Sequence, residues 1–251
     1  MNSLLRELGL GEADTVMVHS SLFSLGKLED SAHGFLDEIL KIIGPDGTLV
    51  VPTFTFSYRR NEIFDVIKTP ADRTIGLLAE LVRNDKRSIR SADPLFSMAA
   101  IGPKAAALMD RGSKSCFGNG SIYGKLFDEN ALFLGIGLTY STGLTGFLHI
   151  EKLAGVPYRL DIEFYGKTRL TNHELVNDSA IHFARNEEIF GEALCNREPI
   201  GRKMEAKGIS KKVFLGYGDH IGIRGSSWRD FLVQTLQSDP LTMLLQPATL
   251  K

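Results

Sequence analysis

The segment ALFLGIG, residues 131–137, is the most strand-like run in the chain, and the polar segment TYST follows it at residues 139–142. A short apolar run bounded by turn residues predicts a buried strand. Three other segments share this character: TVMV at 15–18, LVV at 49–51 and MAAIG at 98–102. Helical patterns lie between them, at 35–43, from about 74, after Pro103 and at 122–127. This alternation over residues 15–155 is typical of an α/β sheet.

The chain changes character after Arg159. Residues 161–167 predict a strand, residues 179–196 a mostly helical segment, residues 206–224 a hairpin and residues 228–236 a final helix. No low-complexity linker or internal repeat separates these segments from the first part. We therefore expect one domain over residues 1–251, with an α/β core at 1–157 and a less regular α+β part at 158–251.

The composition is that of an ordinary soluble protein, with 43% hydrophobic and 24% charged residues and a formal net charge of -1. Because 29 basic residues balance 30 acidic ones, the chain lacks the positive charge typical of nucleic-acid binding. No apolar run reaches the ~18 residues that span a bilayer, and the first residues lack the features of a signal peptide. The two cysteines, Cys116 and Cys195, do not have the spacing of a disulfide framework. These features predict a cytoplasmic protein with neither a nucleic acid nor a membrane as its partner.

Common catalytic motifs are absent from the sequence. It contains no phosphate-binding P-loop, no dinucleotide-binding glycine motif, and no HExxH, CxxC or GxSxG pattern. No cluster of His, Cys, Asp and Glu has the spacing of metal ligands, so no metal is expected. Four histidines stand alone and are interpreted as surface or structural residues: His33, His173, His182 and His220.

The segment FLHIEKLAGVPYR, residues 147–159, carries a histidine and a carboxylate two positions apart, His149 and Glu151. A histidine held by an acid can take a proton from an incoming nucleophile. The segment HSSL, residues 19–22, follows the first strand, and small hydroxyl side chains at the carboxyl end of a strand are typical of ligand sites in open α/β sheets. The residues alone leave a plainer interpretation open for each segment, a solvated helix face and a capped turn.

Eight short patterns occur in order along the chain: HSSL with a later LG at 19–26, GTLVVPTFT at 47–55, FDVIKTP at 64–70, GLLAELVR at 76–83, RSADPLFS at 90–97, GSIYGKL at 120–126, HIEKLAGVPYR at 149–159 and QSDPLTML at 237–244. In this order they resemble the aminoglycoside 3-N-acetyltransferase family and its relatives that acylate amino sugars of bacterial surface polysaccharides. The resemblance implies a three-layer α/β/α core and transfer of an acyl group from acyl-CoA to a sugar amine, with CoA lying across a cleft of the core. The C-terminal part, residues 158–251, is then expected to contribute to the acceptor site.

The resemblance also implies roles for individual residues. Catalysis is expected from His149 as general base, with Glu151 and Asp93 as neighbouring acids. The expected CoA contacts are His19, Ser20, Ser21, Leu22, Ser97, Ser121 and Thr145, and the expected acceptor contacts are Thr53, Glu80, Tyr158 and Arg159. Backbone N–H groups and hydroxyls in HSSL suit the pyrophosphate of CoA.

Two departures from the family pattern bear on these roles. The fifth pattern of antibiotic-modifying members usually reads RS-x-HP, whereas Asp93 stands at the histidine position here. The family histidine often lies three residues before the glutamate, whereas His149 lies two before Glu151. Residues i and i+2 of a helix point in different directions. Glu151 therefore need not pair with His149 and can orient the sugar amine. Asp93 is either a second acid or a turn residue ahead of Pro94.

The nature of the acceptor is inferred from charge. An aminoglycoside carries several positive charges and favours a site lined by carboxylates, but the segment from Tyr158 to Arg202 interleaves acidic and basic residues. A nucleotide-linked amino sugar, whose pyrophosphate binds Arg and Lys, is therefore the favoured acceptor, with an aminoglycoside as the alternative. A catalytically silent binding member of the fold is a third interpretation. The sequence does not specify the acyl group, and it leaves a homo-oligomer open.

Overall fold

The computed structural model describes residues 1–26, 31–190 and 195–245, and the elements below lie in these ranges. The strands are β1 (Thr15–Ser20), β2 (Thr48–Pro52), β3 (Phe64–Asp65), β4 (Ile89–Arg90), β5 (Met98–Ile101), β6 (Leu132–Ile136), β7 (Arg159–Arg169), β8 (Leu175–Arg185), β9 (Ser210–Leu215) and β10 (Gly218–Arg224). The helices are α1 (Asn2–Glu7), α2 (Ser31–Ile43), α3 (Leu77–Arg83), α4 (Ala105–Met109), α5 (Ile122–Asp128), α6 (Gly146–Ala154), α7 (Glu187–Phe190), α8 (Glu198–Ala206) and α9 (Gly225–Ser238). Short 3-10 helices cover Leu22–Leu25, Phe56–Arg60 and Arg73–Ile75. None of the helices in the described ranges is long and apolar enough to cross a bilayer.

The larger sheet has seven strands in the order β4-β5-β2-β1-β6-β10-β9. Its centre is parallel, with Thr15 of β1 opposite Thr48 of β2 and Val16 opposite Leu132 of β6. Strands β5 and β10 run antiparallel to their inner neighbours β2 and β6. The carboxyl ends of β1, β2 and β6 therefore meet at one edge, which is where open α/β sheets bind ligands.

Alternate side chains of the central strands enter two separate hydrophobic cores. Val16 and Val18 of β1 pack with α1, α2 and α3 on one face, whereas Met17 packs with α4, α5, α6 and α9 on the other. Because both faces are buried, the strand is a continuous apolar run in the sequence. Helices on both faces of the sheet make three layers, so the predicted α/β/α core is confirmed.

A second sheet is built on the ribbon of β7 and β8, with β3 beside β7. The two long strands pair antiparallel from Arg159 opposite Arg185 to Arg169 opposite Leu175. The helical prediction for residues 179–196 is therefore wrong over its first part: β8 runs to Arg185, and α7 is only four residues long. Residues 191–194 of that prediction lie outside the described ranges. Pairing with β7 decides the conformation here, because strand preference depends on the neighbouring strand more than on local composition.

The C-terminal part completes the main sheet. The predicted hairpin is present as β9 and β10, and β10 pairs with β6 from Arg224 opposite Leu132 to His220 opposite Ile136. The helix α8 that precedes it does not follow from the sequence pattern. At the exit of β6, Gly137 has a φ of 67°, and a Cβ there would overlap Ser24 Oγ. Glycine therefore lets the turn after β1 approach the end of β6.

Candidate active site

A small cavity of about 180 Å³ opens at the carboxyl ends of β1 and β2. His19 and Ser20 line it from the end of β1, and Pro52 lines it from the end of β2. The rest of its lining consists of Phe54, Phe56, Thr74, Ile75, Phe96, Leu138, Gly143 and Thr145. A narrow, mostly apolar cavity with a few hydroxyl groups suits a slim, uncharged ligand.

A large cavity of about 720 Å³ lies on one face of the β7–β8 ribbon. Leu160, Ile162 and Phe164 line it from β7, and His182 and Ala184 line it from β8. Their spacing follows the period of two in a strand. The rest of the lining is mainly polar or charged: Arg59, Ser141, Leu148, Arg159, Arg185, Asn186, Glu187, Glu188, Cys195 and Arg197.

Phe96 and His182 form the wall between the two cavities. Phe96 lines the small cavity and His182 the large one, and their rings stack with centroids 5.0 Å apart at an angle of 25°. The Phe117 ring packs against both, at 4.9 Å from Phe96 and 6.2 Å from His182. The small and large cavities are therefore neighbours that meet at one aromatic stack.

His182 is an ionisable side chain at this junction. Its Nδ1 is enclosed and has no hydrogen-bond partner among the described residues. Burial, and then the nearby charges of Arg59 and Arg159, lower the pKa of His182 to about 3. The imidazole is therefore neutral at physiological pH.

Glu151 is completely buried on α6 and is neutralised by two arginines. Its Oε2 lies 2.6 Å from Arg159 Nε, and its Oε1 accepts hydrogen bonds from Arg197 Nη2 at 3.1 Å and from Tyr158 Oη at 3.3 Å. Both arginines line the large cavity. Glu151 therefore holds two cavity arginines in place. Of the roles that the sequence left open for Glu151, neither a pairing with His149 nor a contact with the amine is seen, because the carboxylate is occupied by these partners.

His149 is packed inside the core. It is 2% exposed, its ring stacks on Phe127 at 4.7 Å, and its Nδ1 accepts a hydrogen bond from the Gly118 N–H at 3.1 Å. Burial, with a smaller effect of Arg229, lowers its pKa to about 4. His149 lines neither the small nor the large cavity, whereas Leu148 beside it on α6 lines the large one. This enclosure corrects the expectation that His149 acts on the acceptor amine.

Asp93 is a turn residue. Its Oδ1 accepts hydrogen bonds from the N–H groups of Leu95 and Phe96 at 2.9 and 2.8 Å, the geometry of a turn ahead of Pro94. It therefore acts on the site by fixing the backbone of Phe96. The Cys116 thiol lies 3.8 Å from the same oxygen, and burial followed by this carboxylate raises the pKa of the thiol well above its usual value. Cys116 is therefore not a reactive thiolate.

Thr53 and Ser97 belong to a buried structural network. Ser97 Oγ donates a hydrogen bond to the Thr53 carbonyl oxygen at 2.5 Å, and Arg90 donates to the same carbonyl oxygen at 2.9 Å and to Ser97 Oγ at 3.1 Å. Both residues are fully buried and line neither of the two cavities. Their expected roles in binding acceptor and CoA are therefore corrected to structural ones.

Ser121 and Glu80 are also used by the fold. Ser121 caps α5, since its Oγ accepts a hydrogen bond from the Gly124 N–H at 3.1 Å. Glu80 pairs with Arg83 at 2.7 Å and accepts a hydrogen bond from the Ala71 N–H at 2.7 Å. Neither residue lines the small or the large cavity, and their polar atoms are bound to the protein itself, which argues against the CoA contact expected for Ser121 and the acceptor contact expected for Glu80.

Four predicted site residues do line a cavity: His19, Ser20 and Thr145 line the small one, and Arg159 lines the large one. Ser21, the residue after Ser20, is exposed. Leu22 packs against the hydrophobic core that contains Val16 and Val18. Tyr158 is 2% exposed and stands behind the large cavity, where its hydroxyl donates to Glu151.

The isolated histidines divide into two groups. His33 and His173 are exposed, and both ring nitrogens of the buried His220 have backbone partners. These three match the surface or structural interpretation. His182 does not, because it lines the large cavity with Nδ1 unpartnered among the described residues.

Sequence reasoning missed Phe96, His182, Arg59 and Arg197 as site residues. The spacing of Leu160, Ile162 and Phe164 is a signal for one face of β7. His182 lies on the neighbouring strand β8, opposite Ile162, and this register is not visible in the sequence. No local sequence pattern marks Arg59 or Arg197, because each contacts a residue of the site that lies far from it in the sequence: Phe164 for Arg59 and Glu151 for Arg197.

The profile of the aminoglycoside 3-N-acetyltransferase family matches residues 17–237 of the chain. Aminoglycoside N(3)-acetyltransferase VII of Streptomyces paromomycinus is 28% identical over 242 residues, which cover 86% of this chain and 82% of that protein. Aminoglycoside N(3)-acetyltransferase IV of a Salmonella species is 32% identical over 158 residues, which cover 61% of this chain and 58% of that protein.

Solved structures show the same similarity. The crystal structure of aminoglycoside acetyltransferase AAC(3)-Xa has a TM-score of 0.82 at 25% identity, over 94% of this chain and 91% of that one. AAC(3)-IVa, solved as a histidine-to-alanine variant in complex with a gentamicin, has a TM-score of 0.80 at 25% identity, over 98% and 90% of the two chains. The binary complex of AAC-IIIb with CoASH, at 22% identity and a TM-score of 0.81 over 94% of each chain, shares the fold.

These similarities decide between the interpretations of the sequence. The favoured acceptor, a nucleotide-linked amino sugar, is wrong, because the relatives that match over most of the chain are aminoglycoside acetyltransferases. The expected enzyme class, an acyl-CoA-dependent N-acyltransferase, is confirmed. With its profile match extending over residues 17–237, this chain belongs to the aminoglycoside 3-N-acetyltransferase family.

Proposed function

We propose that this protein transfers the acetyl group of acetyl-CoA to an amine of an aminoglycoside. The observation that carries the proposal is the similarity to aminoglycoside N(3)-acetyltransferase VII, which extends over 86% of this chain and 82% of that protein. Two adjoining cavities support it, because direct transfer requires donor and acceptor to be held against each other.

The small cavity suits the pantetheine arm of acetyl-CoA. That arm is a slim, uncharged chain with two amides, and the cavity offers apolar walls together with the hydroxyls of Ser20 and Thr145. Ser21, exposed directly after Ser20, is available to the pyrophosphate outside the cavity. In this arrangement the thioester reaches the Phe96–His182 stack.

The large cavity suits the acceptor. Its volume of about 720 Å³ falls within the range of small-molecule sites, roughly 300–1,000 Å³. An aminoglycoside is a polycation, and the exposed carboxylates of Glu187 and Glu188 at this cavity are available to its ammonium groups. Glu151 is not, because Arg159 and Arg197 neutralise it. We therefore infer that the acceptor lies with most of its charge toward Glu187 and Glu188.

The reaction requires an unprotonated amine. Its nitrogen attacks the thioester carbonyl carbon, and it must lose a proton before the amide is formed. The thiolate of CoA is a good leaving group, since thiols have a pKa of about 8.5. The demanding proton transfer is therefore the one from nitrogen, and a positioned base accelerates such a step by about 10²–10⁴-fold.

The test is a substrate panel with purified protein and acetyl-CoA. Gentamicin, sisomicin and a nucleotide-linked amino sugar are each supplied as acceptor. Release of the CoA thiol is followed with a chromogenic reagent, and the masses of the products are measured by mass spectrometry. We expect thiol release and acetylated product with the two aminoglycosides only. Product from the nucleotide-linked sugar alone would overturn the proposal. A protein that binds CoA but acetylates none of the three would instead be a catalytically silent member of the fold.

A further inference from the structure

We propose that His182 is the general base that takes the proton from the acceptor amine. The inference rests on the proposed function in one respect, that the acceptor amine is held in the large cavity. His182 lies in the wall shared by the two cavities, stacked on Phe96 at 5.0 Å. A group at this junction can contact an amine in the large cavity that faces a thioester in the small one.

The fold holds the His182 ring in place. His182 is in register with Ile162 of β7, and both side chains line the large cavity. Phe96 and Phe117 pack against the ring from the other direction. The nitrogen enclosed by this packing is Nδ1, which leaves Nε2 as the nitrogen able to meet a ligand.

The charges around His182 keep the ring neutral. Arg59, from the turn after β2, and Arg159, at the start of β7, lie near it, and burial followed by these two cations lowers its pKa to about 3. A neutral ring is able to accept a proton. A weak base is sufficient, because the nitrogen of the tetrahedral intermediate is bonded to an electron-poor carbon and gives up its proton more readily than a free ammonium group.

The proton and the electron pairs balance over one cycle. The amine lone pair forms the new C–N bond as the carbonyl π pair moves to oxygen, and the proton on nitrogen passes to His182 Nε2. The oxyanion then re-forms the carbonyl group, the C–S bond breaks, and CoA leaves as the thiolate. The imidazolium of His182 returns its proton to that thiolate, which regenerates the neutral ring and releases CoA as the thiol.

The buried histidines His149 and His19 are less well placed for this role. His149 is enclosed by the core, and its Nδ1 is occupied by the Gly118 N–H. His19 lines the small cavity on the donor side, with Nε2 3.4 Å from Tyr123 Oη. Neither lines the large cavity.

The test compares His182→Asn with His173→Asn. His173 lies in the exposed turn between β7 and β8 with a φ of 69°, a conformation that asparagine adopts readily, so it is a matched control on the same ribbon. Each variant is assayed with gentamicin, with glucosamine and with hydroxylamine. The ammonium forms of gentamicin and glucosamine are weaker acids than that of hydroxylamine. The nitrogen of the tetrahedral intermediate formed with hydroxylamine therefore loses its proton more readily without a base.

We expect His182→Asn to lower kcat with gentamicin and glucosamine by about 10²–10³-fold, and with hydroxylamine by less than about ten-fold, because hydroxylamine depends less on a base. The KM for acetyl-CoA should stay within about two-fold, since the base does not hold the donor. His173→Asn should behave as the wild type with all three acceptors. A CoA titration and the thermal midpoint report whether each variant is folded, and His182→Gln replaces His182→Asn if the latter is not.

An equal loss with all three acceptors would make His182 a structural residue and overturn the proposal, as would unchanged turnover. If the wild type acetylates glucosamine and hydroxylamine but no aminoglycoside, the proposed acceptor fails while the comparison of these two amines still decides the role of His182. A wild type that acetylates no amine would overturn both proposals.

Discussion

Glu151 Oε2 lies 2.6 Å from Arg159 Nε, and the Arg159 side chain is 7% exposed while that of Glu151 is completely buried. Arg197 contacts the other carboxylate oxygen at 3.1 Å, so one buried carboxylate holds two guanidinium groups of the large cavity. Removing one member of a buried ion pair leaves charge without compensation in a medium of low polarity. The Glu151 carboxylate is therefore a support of the cavity wall.

Glu151→Gln should destabilise the protein strongly, because it leaves Arg159 and Arg197 buried without a counter-charge. We expect the free energy of unfolding to fall by about 3–5 kcal/mol in urea denaturation. Glu62→Gln is the matched control, since Glu62 pairs with Arg60 at 2.9 Å on the surface, and it should cost at most about 1 kcal/mol. Similar losses in the two variants would contradict the supporting role of Glu151.

His149→Ala should act mainly on stability. It removes a ring stacked on Phe127 and the acceptor of the Gly118 N–H, and such a loss typically costs about 2–4 kcal/mol. Turnover per folded molecule should fall far less than in His182→Asn, because His149 lines neither cavity. A stable His149→Ala protein with a larger loss of turnover than His182→Asn would restore His149 as the base.

Acid should destabilise the fold through its buried histidines. Burial lowers the pKa of His19 to about 3, and burial with Arg229 lowers that of His149 to about 4, both below the usual 6.5. Below about pH 6.5 the unfolded chain therefore binds protons that the folded chain does not, and the free energy of unfolding falls by about 1.4 kcal/mol per pH unit for each histidine until the folded pKa is reached.

Urea denaturation at a series of pH values between about 7.5 and 5 measures this slope. On acidification, the free energy of unfolding of His149→Asn should fall less steeply than that of the wild type. The difference should be about 1.4 kcal/mol per pH unit, which is the contribution of one histidine. Equal pH dependence of the two proteins would show that His149 titrates normally in the folded state.

The central strands could be predicted from the sequence because burial on both faces makes each of them an apolar run. Strand β8 could not, since its conformation depends on pairing with β7. The same distinction applies to the site. His19 and Ser20 end a recognisable strand, but the role of Glu151 depends on Arg197, 46 positions away, and the position of His182 depends on Phe96, which precedes β5 of the other sheet. Local spacing carries no information on such contacts.

Ser20→Leu should weaken CoA binding, because a leucine side chain would fill much of a cavity of about 180 Å³ that Ser20 lines. We expect the Kd measured by isothermal titration to rise about ten-fold or more. Ser238→Leu, at the exposed end of α9, is the control for adding an apolar side chain and should bind CoA as the wild type does. An unchanged Kd in Ser20→Leu would exclude the small cavity as the site of the pantetheine arm.

The initial rate of CoA thiol formation from acetyl-CoA, measured at increasing gentamicin concentration, tests the central claim most directly. We predict a rate that rises with gentamicin, reaches saturation, and yields one acetyl group on gentamicin for each thiol released. A rate that stays at the level of acetyl-CoA alone at every gentamicin concentration would contradict it.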